Sequence, residues 1–164
     1  MPAAARSAIP RIHGVPTTLT LAELEQSGER ELGTSDWHTI GQRQIDLFAE
    51  ATGDRQWIHT NPERAAAGPF GTTVAHGYLT LSLLPMLLAE VISVSDAQMG
   101  VNYGTEKLRF TAPVPSGSRV RLHARLLRAE GRGPGVVYTV GVQIQVEDQE
   151  KPALVGEVVY LAAG

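Results

Sequence analysis

The sequence contains no cysteine among its 164 residues. This absence excludes disulfides, thiolate catalysis, cysteine-ligated zinc and iron–sulfur clusters. The chain also has no excess of positive charge. Its formal net charge of −3 at pH 7 argues against a general nucleic-acid binder, which usually presents a basic surface. We therefore expect a site built from oxygen and nitrogen side chains, and no nucleic-acid partner.

Long apolar runs are missing as well. No stretch reaches the ~20 apolar residues that a membrane-spanning helix needs. The best candidate, Leu79 to Ile92, is shorter and contains Pro85 and Glu90. Residues 1–6 are not followed by a continuous apolar run, so we expect no signal peptide. These features predict a soluble, cytoplasmic protein with no membrane partner.

The length fits a single domain with a substantial core. Residues 1–16 carry three prolines and little periodicity, which predicts an extended N-terminal arm. Residues 17–164 then form one domain. We find no internal repeat and no low-complexity segment.

Helix signals concentrate in the first half of the chain. Thr20 and Glu23 have capping-box spacing, and the apolar face of residues 42–51 ends before Gly53. Asn61-Pro62 is a favoured helix start. From Tyr78 to Ile92 nearly every position is apolar, which predicts a helix buried on all sides and disturbed at its proline.

The second half changes to the period of strands. Residues 120–126 and 138–146 alternate apolar and polar side chains, residues 154–161 form a less regular run, and residues 107–110 a shorter one. Residues 35–40 predict a strand before the apolar helix, and the Gly/Pro-rich residues 131–135 a turn. The predicted fold is α+β: an antiparallel sheet curls around one buried helix, with one strand before it and about four after.

Asp54 and His59 are the strongest catalytic candidates. They lie five positions apart on a polar loop, residues 53–60, between two helical segments. A carboxylate and an imidazole that share one water can accept and return a proton near neutrality. Trp57 and Ile58 can anchor such a loop in the core. The alternative is structural: Asp54 caps the loop and His59 fills a polar gap.

His76 and Gly77 begin the apolar helix. A glycine there lets a ligand approach free backbone N–H groups, which would suit an oxyanion hole. The alternative is a glycine chosen only for a tight entry into the helix. His76 could also bind zinc together with His59, although no third ligand stands at a recognisable spacing.

Other polar groups are less informative. The arginines of residues 119–128 suit a solvated strand face. Some of them, or Arg43, Lys107 or Arg109, could instead meet the phosphates of a nucleotide-bearing substrate. Ser82 has no Gly-x-Ser-x-Gly elbow around it, and the chain has no glycine-rich phosphate loop.

Four segments together resemble one known family. They are Phe48-Ala-Glu-Ala-Thr-Gly-Asp-Arg-Gln-Trp-Ile-His59, Asn61-Pro-Glu-Arg-Ala65, Gly68-Pro-Phe-Gly71 and Ala75-His-Gly-Tyr-Leu79. They are similar to the MaoC-like (R)-specific enoyl-CoA hydratases, above all to the branch that resembles nodulation protein N. The resemblance covers residues 35–162. It implies a single hot-dog fold, in which an antiparallel sheet wraps a long central helix.

The same resemblance implies a function. Asp54 and His59 would be the catalytic pair that adds water to a trans-2-enoyl-CoA, giving an (R)-3-hydroxyacyl-CoA. Gly77, with His76 beside it, would bind the substrate and stabilise the thioester oxyanion. It further implies an acyl-CoA thioester as substrate, a homodimer, and no metal or other cofactor.

Two alternatives keep the fold and change the activity. The first is a hot-dog acyl-CoA thioesterase, in which a carboxylate or its water attacks the thioester carbonyl. The second is a non-catalytic acyl-CoA-binding protein. The latter depends on Pro85, which interrupts the helix where some hydratases use a serine.

Overall fold

The structure, a computed structural model, describes residues 15–164. The strands are β1 (Thr17–Leu19), β2 (Arg30–Thr34), β3 (His38–Thr39), β4 (Ile92–Val94), β5 (Met99–Phe110), β6 (Arg119–Arg132), β7 (Gly135–Val146) and β8 (Leu154–Ala163). The helices are α1 (Leu21–Gln26), α2 (Gln42–Thr52), α3 (Trp57–Thr60), α4 (Pro62–Ala66), α5 (Gly77–Ser82) and α6 (Leu84–Ala89). None of these helices has both the length and the apolar character that crossing a bilayer requires. Of the predicted arm, residues 1–14 lie outside the described residues, so the division between arm and domain stays a prediction.

The main sheet is antiparallel and follows the order β2-β6-β7-β8-β5, with β3 also paired to β6. The alternation predicted for its central strands is confirmed. The inward-facing side chains of β6 have no exposed surface: Val120, Leu122, Ala124 and Leu126. The β6–β7 hairpin turns at Gly133, which has a φ of 58°, inside the predicted turn. Four strands of this sheet follow the apolar helix, as predicted.

Two strand predictions need correction. The strand predicted at residues 107–110 is only the end of β5, whose register shifts twice, and such irregularities hide the strand period. The strand predicted at residues 35–40 contains only the two residues of β3, and β2 precedes it at residues 30–34. Residues 35–37 separate the two strands, and the Ser35 hydroxyl accepts the hydrogen bond of the Leu122 N–H there at 2.9 Å. With β1, which pairs in parallel with β4, three strands precede the apolar helix rather than one.

The central helix is divided into α5 and α6. Pro85 lies in the first turn of α6 and has no N–H to donate to the carbonyl of Leu81, so the helix loses a hydrogen bond there. The predicted irregularity at this proline is thereby confirmed. Leu79, Leu84 and Leu87 are buried against the inner face of the sheet. The predicted antiparallel sheet around a central helix is confirmed, with that helix ending at residue 89 rather than 92.

The prediction that this helix is buried on all sides is wrong for a single chain. One face of α5 and α6 is exposed, and we call it the exposed helix face: Tyr78, Ser82, Pro85, Met86 and Ala89. Their spacing of three to four residues places them on one side of a helix. Tyr78 is 69% exposed and Met86 46%. The sheet of one chain therefore covers only the opposite side.

Local capping signals placed the shorter helices well. Thr20 and Glu23 form the predicted capping box of α1. Gly53 ends α2 with a φ of 80°, a conformation that glycine adopts without strain. The Asn61 side chain accepts the Arg64 N–H at 2.9 Å and so starts α4. These confirmed boundaries frame the segment that carries Asp54 and His59.

Candidate active site

A short helix brings the predicted catalytic pair together. The segment predicted as a polar loop contains α3, one turn of helix that carries His59 back toward Asp54. One carboxylate oxygen of Asp54 and one ring nitrogen each of His59 and His76 lie within 4.8 Å of one another. Trp57 and Ile58 are half-buried, in line with their predicted anchoring role. The site therefore joins three of the four residues singled out from the sequence.

His59 is held at both its ring and its backbone. Its Nδ1 lies 2.6 Å from the carbonyl oxygen of Val74. Because a carbonyl only accepts, Nδ1 carries the hydrogen and Nε2 keeps a lone pair. The His59 carbonyl accepts a hydrogen bond of 2.8 Å from Gln42 Nε2, and Gln42 Oε1 accepts one of 2.5 Å from the Thr73 hydroxyl. The imidazole is thus oriented as a proton acceptor at Nε2.

Gln42, Thr73 and Val74 were not predicted from the sequence. Gln42 lies 17 positions from His59, and Val74 lies 15. Polar residues at such distances carry no local pattern that marks them as partners of a histidine. Their role follows only from the packing of α2 and the segment before α5 against α3.

Asp54 is exposed, whereas both histidines are buried: His59 is 8% exposed and His76 2%. The carbonyl oxygen of Asp54 lies 2.9 Å from His76 Nε2. The other hydrogen bonds of Asp54 are long: 3.4 Å from its N–H to the Thr52 hydroxyl and 3.5 Å from the Gln56 N–H to its carboxylate. The carboxylate is therefore available to a water or a substrate.

His76 and Gly77 begin α5 as predicted, but their side chains face different surroundings. The His76 ring stacks on His59 with a centroid distance of 3.8 Å and an interplanar angle of 26°. Its observed contacts are with protein, and a contact with substrate stays a prediction. Gly77 is half-buried beneath Phe110, and a Cβ at this position would lie 2.9 Å from that ring. Only glycine, which has no Cβ, lets the Phe110 ring lie this close to the backbone of residue 77.

Two cavities adjoin the central helix. One of about 310 Å³ is lined by residues that include Gly77, Thr80 and Phe110. The other, of about 300 Å³, lies between the helix and strands β5 and β8, and Ser82 and Pro85 both line it. The first cavity places open space beside the backbone at the start of α5.

The surroundings of His59 shift its proton affinity. Burial lowers the pKa of His59, and a charge on His76 would lower it further. The hydrogen bond to Val74 and the charge of Asp54 act in the opposite direction but more weakly than burial. A lowered pKa keeps the imidazole neutral at neutral pH, which is the state a general base requires.

We expect an NMR titration to place the pKa of His59 below the ordinary value of ~6.5. In the Asp54→Asn variant it falls further, because the charge that favours the imidazolium is gone. A His59 pKa above the ordinary value would contradict the assignment of burial as the dominant cause.

The geometry does not favour the zinc alternative. His59 Nδ1 and His76 Nε2 are already engaged with backbone carbonyls. That leaves nitrogens on two rings stacked 26° from parallel. Lone pairs in nearly parallel ring planes do not converge on a common tetrahedral centre. The cluster suits proton transfer better than metal binding.

The arginines of β6 form the solvated face that the alternation predicted. Arg119 pairs with Glu147, Arg125 with Glu29 and Glu31, and Arg128 with Glu106 and Glu157. Lys107, with its side chain 81% exposed, lies 3.4 Å from Glu157. A contact between Arg43, Lys107 or Arg109 and phosphate stays a prediction. The Ser82 hydroxyl donates to the Tyr78 carbonyl at 2.7 Å.

Comparison with known proteins identifies the family. The profile of the "MaoC like domain" family matches residues 23–147. The chain belongs to this family. It is 51% identical over 139 residues to 3-hydroxyacyl-thioester dehydratase Z of Mycobacterium tuberculosis strain H37Rv, covering 84% of this chain and 92% of that protein. It is 46% identical over 139 residues to nodulation protein N of Rhizobium leguminosarum biovar viciae, covering 83% and 86%.

A solved structure supports the same placement. The unliganded R-hydratase PhaJ1 from Pseudomonas aeruginosa matches with a TM-score of 0.68 at 26% identity, covering 88% of this chain and 86% of that one. The hot-dog fold and the likeness to the nodulation-protein-N branch are thereby confirmed. This MaoC-like protein is a hydro-lyase, since its relatives are dehydratases and hydratases. Hydration and dehydration are the two directions of one reversible reaction.

Proposed function

We propose that this protein is an (R)-specific enoyl-CoA hydratase that converts a trans-2-enoyl-CoA into an (R)-3-hydroxyacyl-CoA. The observation that carries the proposal is the placement of the Asp54 carboxylate beside a buried His59 whose Nε2 keeps a lone pair. The printed names of its relatives support the substrate class, since they include a 3-hydroxyacyl-thioester dehydratase and an R-hydratase. A cytoplasmic location stays a prediction.

In this proposal Asp54 and His59 hold one water molecule between them. The water oxygen bonds to C3 of the enoyl group while one of its protons passes to His59 Nε2. The double-bond electrons move to the thioester, and the imidazolium then returns a proton to C2. One water is added and the enzyme ends as it began.

Gly77 serves the other end of the substrate. As the double-bond electrons move, negative charge develops on the thioester oxygen. A backbone N–H in the first turn of a helix has no partner within that helix, and the Gly77 N–H is such a donor. The adjoining cavity of about 310 Å³ provides room for the thioester. A donor fixed in place before the reaction stabilises the developing charge without reorganisation.

The proposal includes a homodimer. The exposed helix face carries Tyr78 and Met86, and strand β5, at the edge of the main sheet, exposes Met99, Val101 and Tyr103. An exposed edge strand with apolar side chains is a template for pairing with another chain. A second copy that joins sheets edge to edge at β5 would cover both surfaces.

We expect Val101→Lys combined with Met86→Glu to convert the dimer into a monomer. The substitutions place charges on two apolar positions of the proposed contact, where burial is costly. Light scattering coupled to size exclusion measures the mass. Leu47→Lys is the matched control, since Leu47 is 55% exposed on α2. A wild-type protein of monomeric mass, or an unchanged dimer in the double variant, would contradict this surface.

The test of the proposed function follows the ultraviolet absorbance of the enoyl thioester, with crotonyl-CoA and with a longer trans-2-enoyl-CoA. Coupling to an (R)-specific 3-hydroxyacyl-CoA dehydrogenase reports the stereochemistry. Loss of absorbance with formation of the R product is the expected result. Release of free thiol from a saturated acyl-CoA would instead indicate a thioesterase. Binding of acyl-CoA without turnover would indicate the non-catalytic alternative.

A further inference from the structure

His76 is nearly inaccessible, and one of its polar atoms has no partner among residues 15–164. The side chain is 2% exposed, and its Nδ1 is buried without a hydrogen bond. Its ring lies between His59, at 3.8 Å, and Phe48, at 5.0 Å between centroids. A histidine chosen only to fill an apolar gap would be a costly choice, because an unpaired buried polar atom is destabilising. The position of His76 in the site therefore requires an explanation other than gap filling.

The hydrogen bond that the His76 side chain makes within residues 15–164 supplies that explanation. Its Nε2 lies 2.9 Å from the Asp54 carbonyl, so Nε2 carries the hydrogen and the buried Nδ1 is a bare acceptor. The hydrogen bonds between Asp54 and Thr52 and between Asp54 and Gln56 are 3.4 and 3.5 Å long. The bond from His76 is thus the shortest one that fixes the residue. It ties an exposed segment to the buried start of α5.

The stacked ring holds the second member of the pair. Rotation of the His59 ring is limited by the Val74 hydrogen bond and, in addition, by a neighbouring ring. The His76 ring is that neighbour, at 26° from parallel. One side chain therefore contacts both proposed catalytic residues, one through its nitrogen and the other through its face.

We infer that His76 is a positioning residue, which fixes the distance between Asp54 and His59 by donating to the Asp54 carbonyl and stacking on the His59 ring. This inference rests on the proposed function and deepens it. The hydrogen bond is the decisive part, because the ring plane of His59 has a second support at Val74, whereas the other hydrogen bonds of Asp54 within residues 15–164 are 3.4 and 3.5 Å long. The role differs from the substrate contact predicted from the sequence.

Two variants separate the two contacts. His76→Phe keeps a ring to stack on His59 and loses the donor. His76→Gln loses the ring, and its amide nitrogen reaches a position close to that of Nε2. We expect His76→Phe to lower kcat by about 10- to 100-fold, the scale of a misplaced reacting group, with KM nearly unchanged. His76→Gln recovers most of that loss.

The control is His123→Gln, which removes a half-buried imidazole from the far face of the sheet; kcat stays at the wild-type value. Thermal unfolding shows that each variant is folded at the assay temperature. If the wild type is active, two results overturn the positioning role. One is wild-type activity in His76→Phe, and the other is activity of His76→Phe equal to or above that of His76→Gln. An inactive wild type overturns the proposed function instead.

A second measurement does not depend on turnover. Nitrogen-15 NMR of the imidazoles should find His76 in the Nε2–H form and His59 in the Nδ1–H form. Amide hydrogen exchange at residues 53–56 should be faster in His76→Phe than in the wild type. In His76→Gln it should be slower than in His76→Phe. A hydrogen on His76 Nδ1 with a bare Nε2, or equal exchange in His76→Phe and the wild type, overturns the inference.

Discussion

Replacing Asp54 by Asn is expected to lower turnover of an enoyl-CoA by about two to four orders of magnitude, the usual contribution of general acid–base catalysis. His59→Asn is expected to have an effect of the same size. Asn at position 59 can still donate to the Val74 carbonyl, since its amide nitrogen lies near the position of Nδ1, but it offers no base at Nε2. The measurement is the initial rate of enoyl absorbance loss at saturating substrate.

The fold is expected to survive both changes. Asp54 is exposed, and its bond to His76 uses the backbone carbonyl, which Asn retains. Glu50→Gln is the matched control, because it neutralises an exposed carboxylate on neighbouring α2 and leaves the cluster intact. Wild-type rates in either the Asp54 or the His59 variant, with the protein folded, would show that the pair does not carry the reaction.

Local signals explain why much of this site was predictable. Gly53 ends α2 and Asn61-Pro62 starts α4, so the chain between them had to turn. The helix within this segment was not predicted. We predicted a loop where α3 lies, because a single helical turn of four residues is too short to show a period. The residues alone left a structural role for the pair open, and the resemblance to the MaoC-like family implied its catalytic role.

The supports of the pair were not predictable in the same way. Gln42 donates to the His59 carbonyl, and Thr73 donates to Gln42. These contacts arise from tertiary packing, and no spacing in the sequence indicates them. The exposed helix face shows a similar limit. Its apolar composition predicted burial, but composition does not say whether the same chain or a second copy provides the cover. Strand β5 was mostly missed because its register shifts break the alternation that identifies a strand.

Gly77→Ala is expected to lower kcat/KM by about 100-fold, as a misplaced donor does. The added Cβ would lie 2.9 Å from the Cγ and Cδ2 atoms of Phe110, so either the ring or the start of α5 must move. Phe110 is 44% exposed and its ring can swing outward, so we expect only a modest fall in melting temperature. Either movement changes the cavity proposed to hold the thioester, and steady-state kinetics measures the loss.

Crowding by Phe110, as the cause of the lost activity, can be separated from a general effect of an alanine substitution. Gly28→Ala is the matched control, because Gly28 has open space around it and no positive φ. Combining Gly77→Ala with Phe110→Leu removes the atoms that the Cβ would meet. If crowding by Phe110 displaces the Gly77 N–H, the double variant is more active than Gly77→Ala alone. Wild-type kinetics in Gly77→Ala would remove this N–H from the proposed oxyanion site, while the Asp54–His59 assignment would stand on its own measurements.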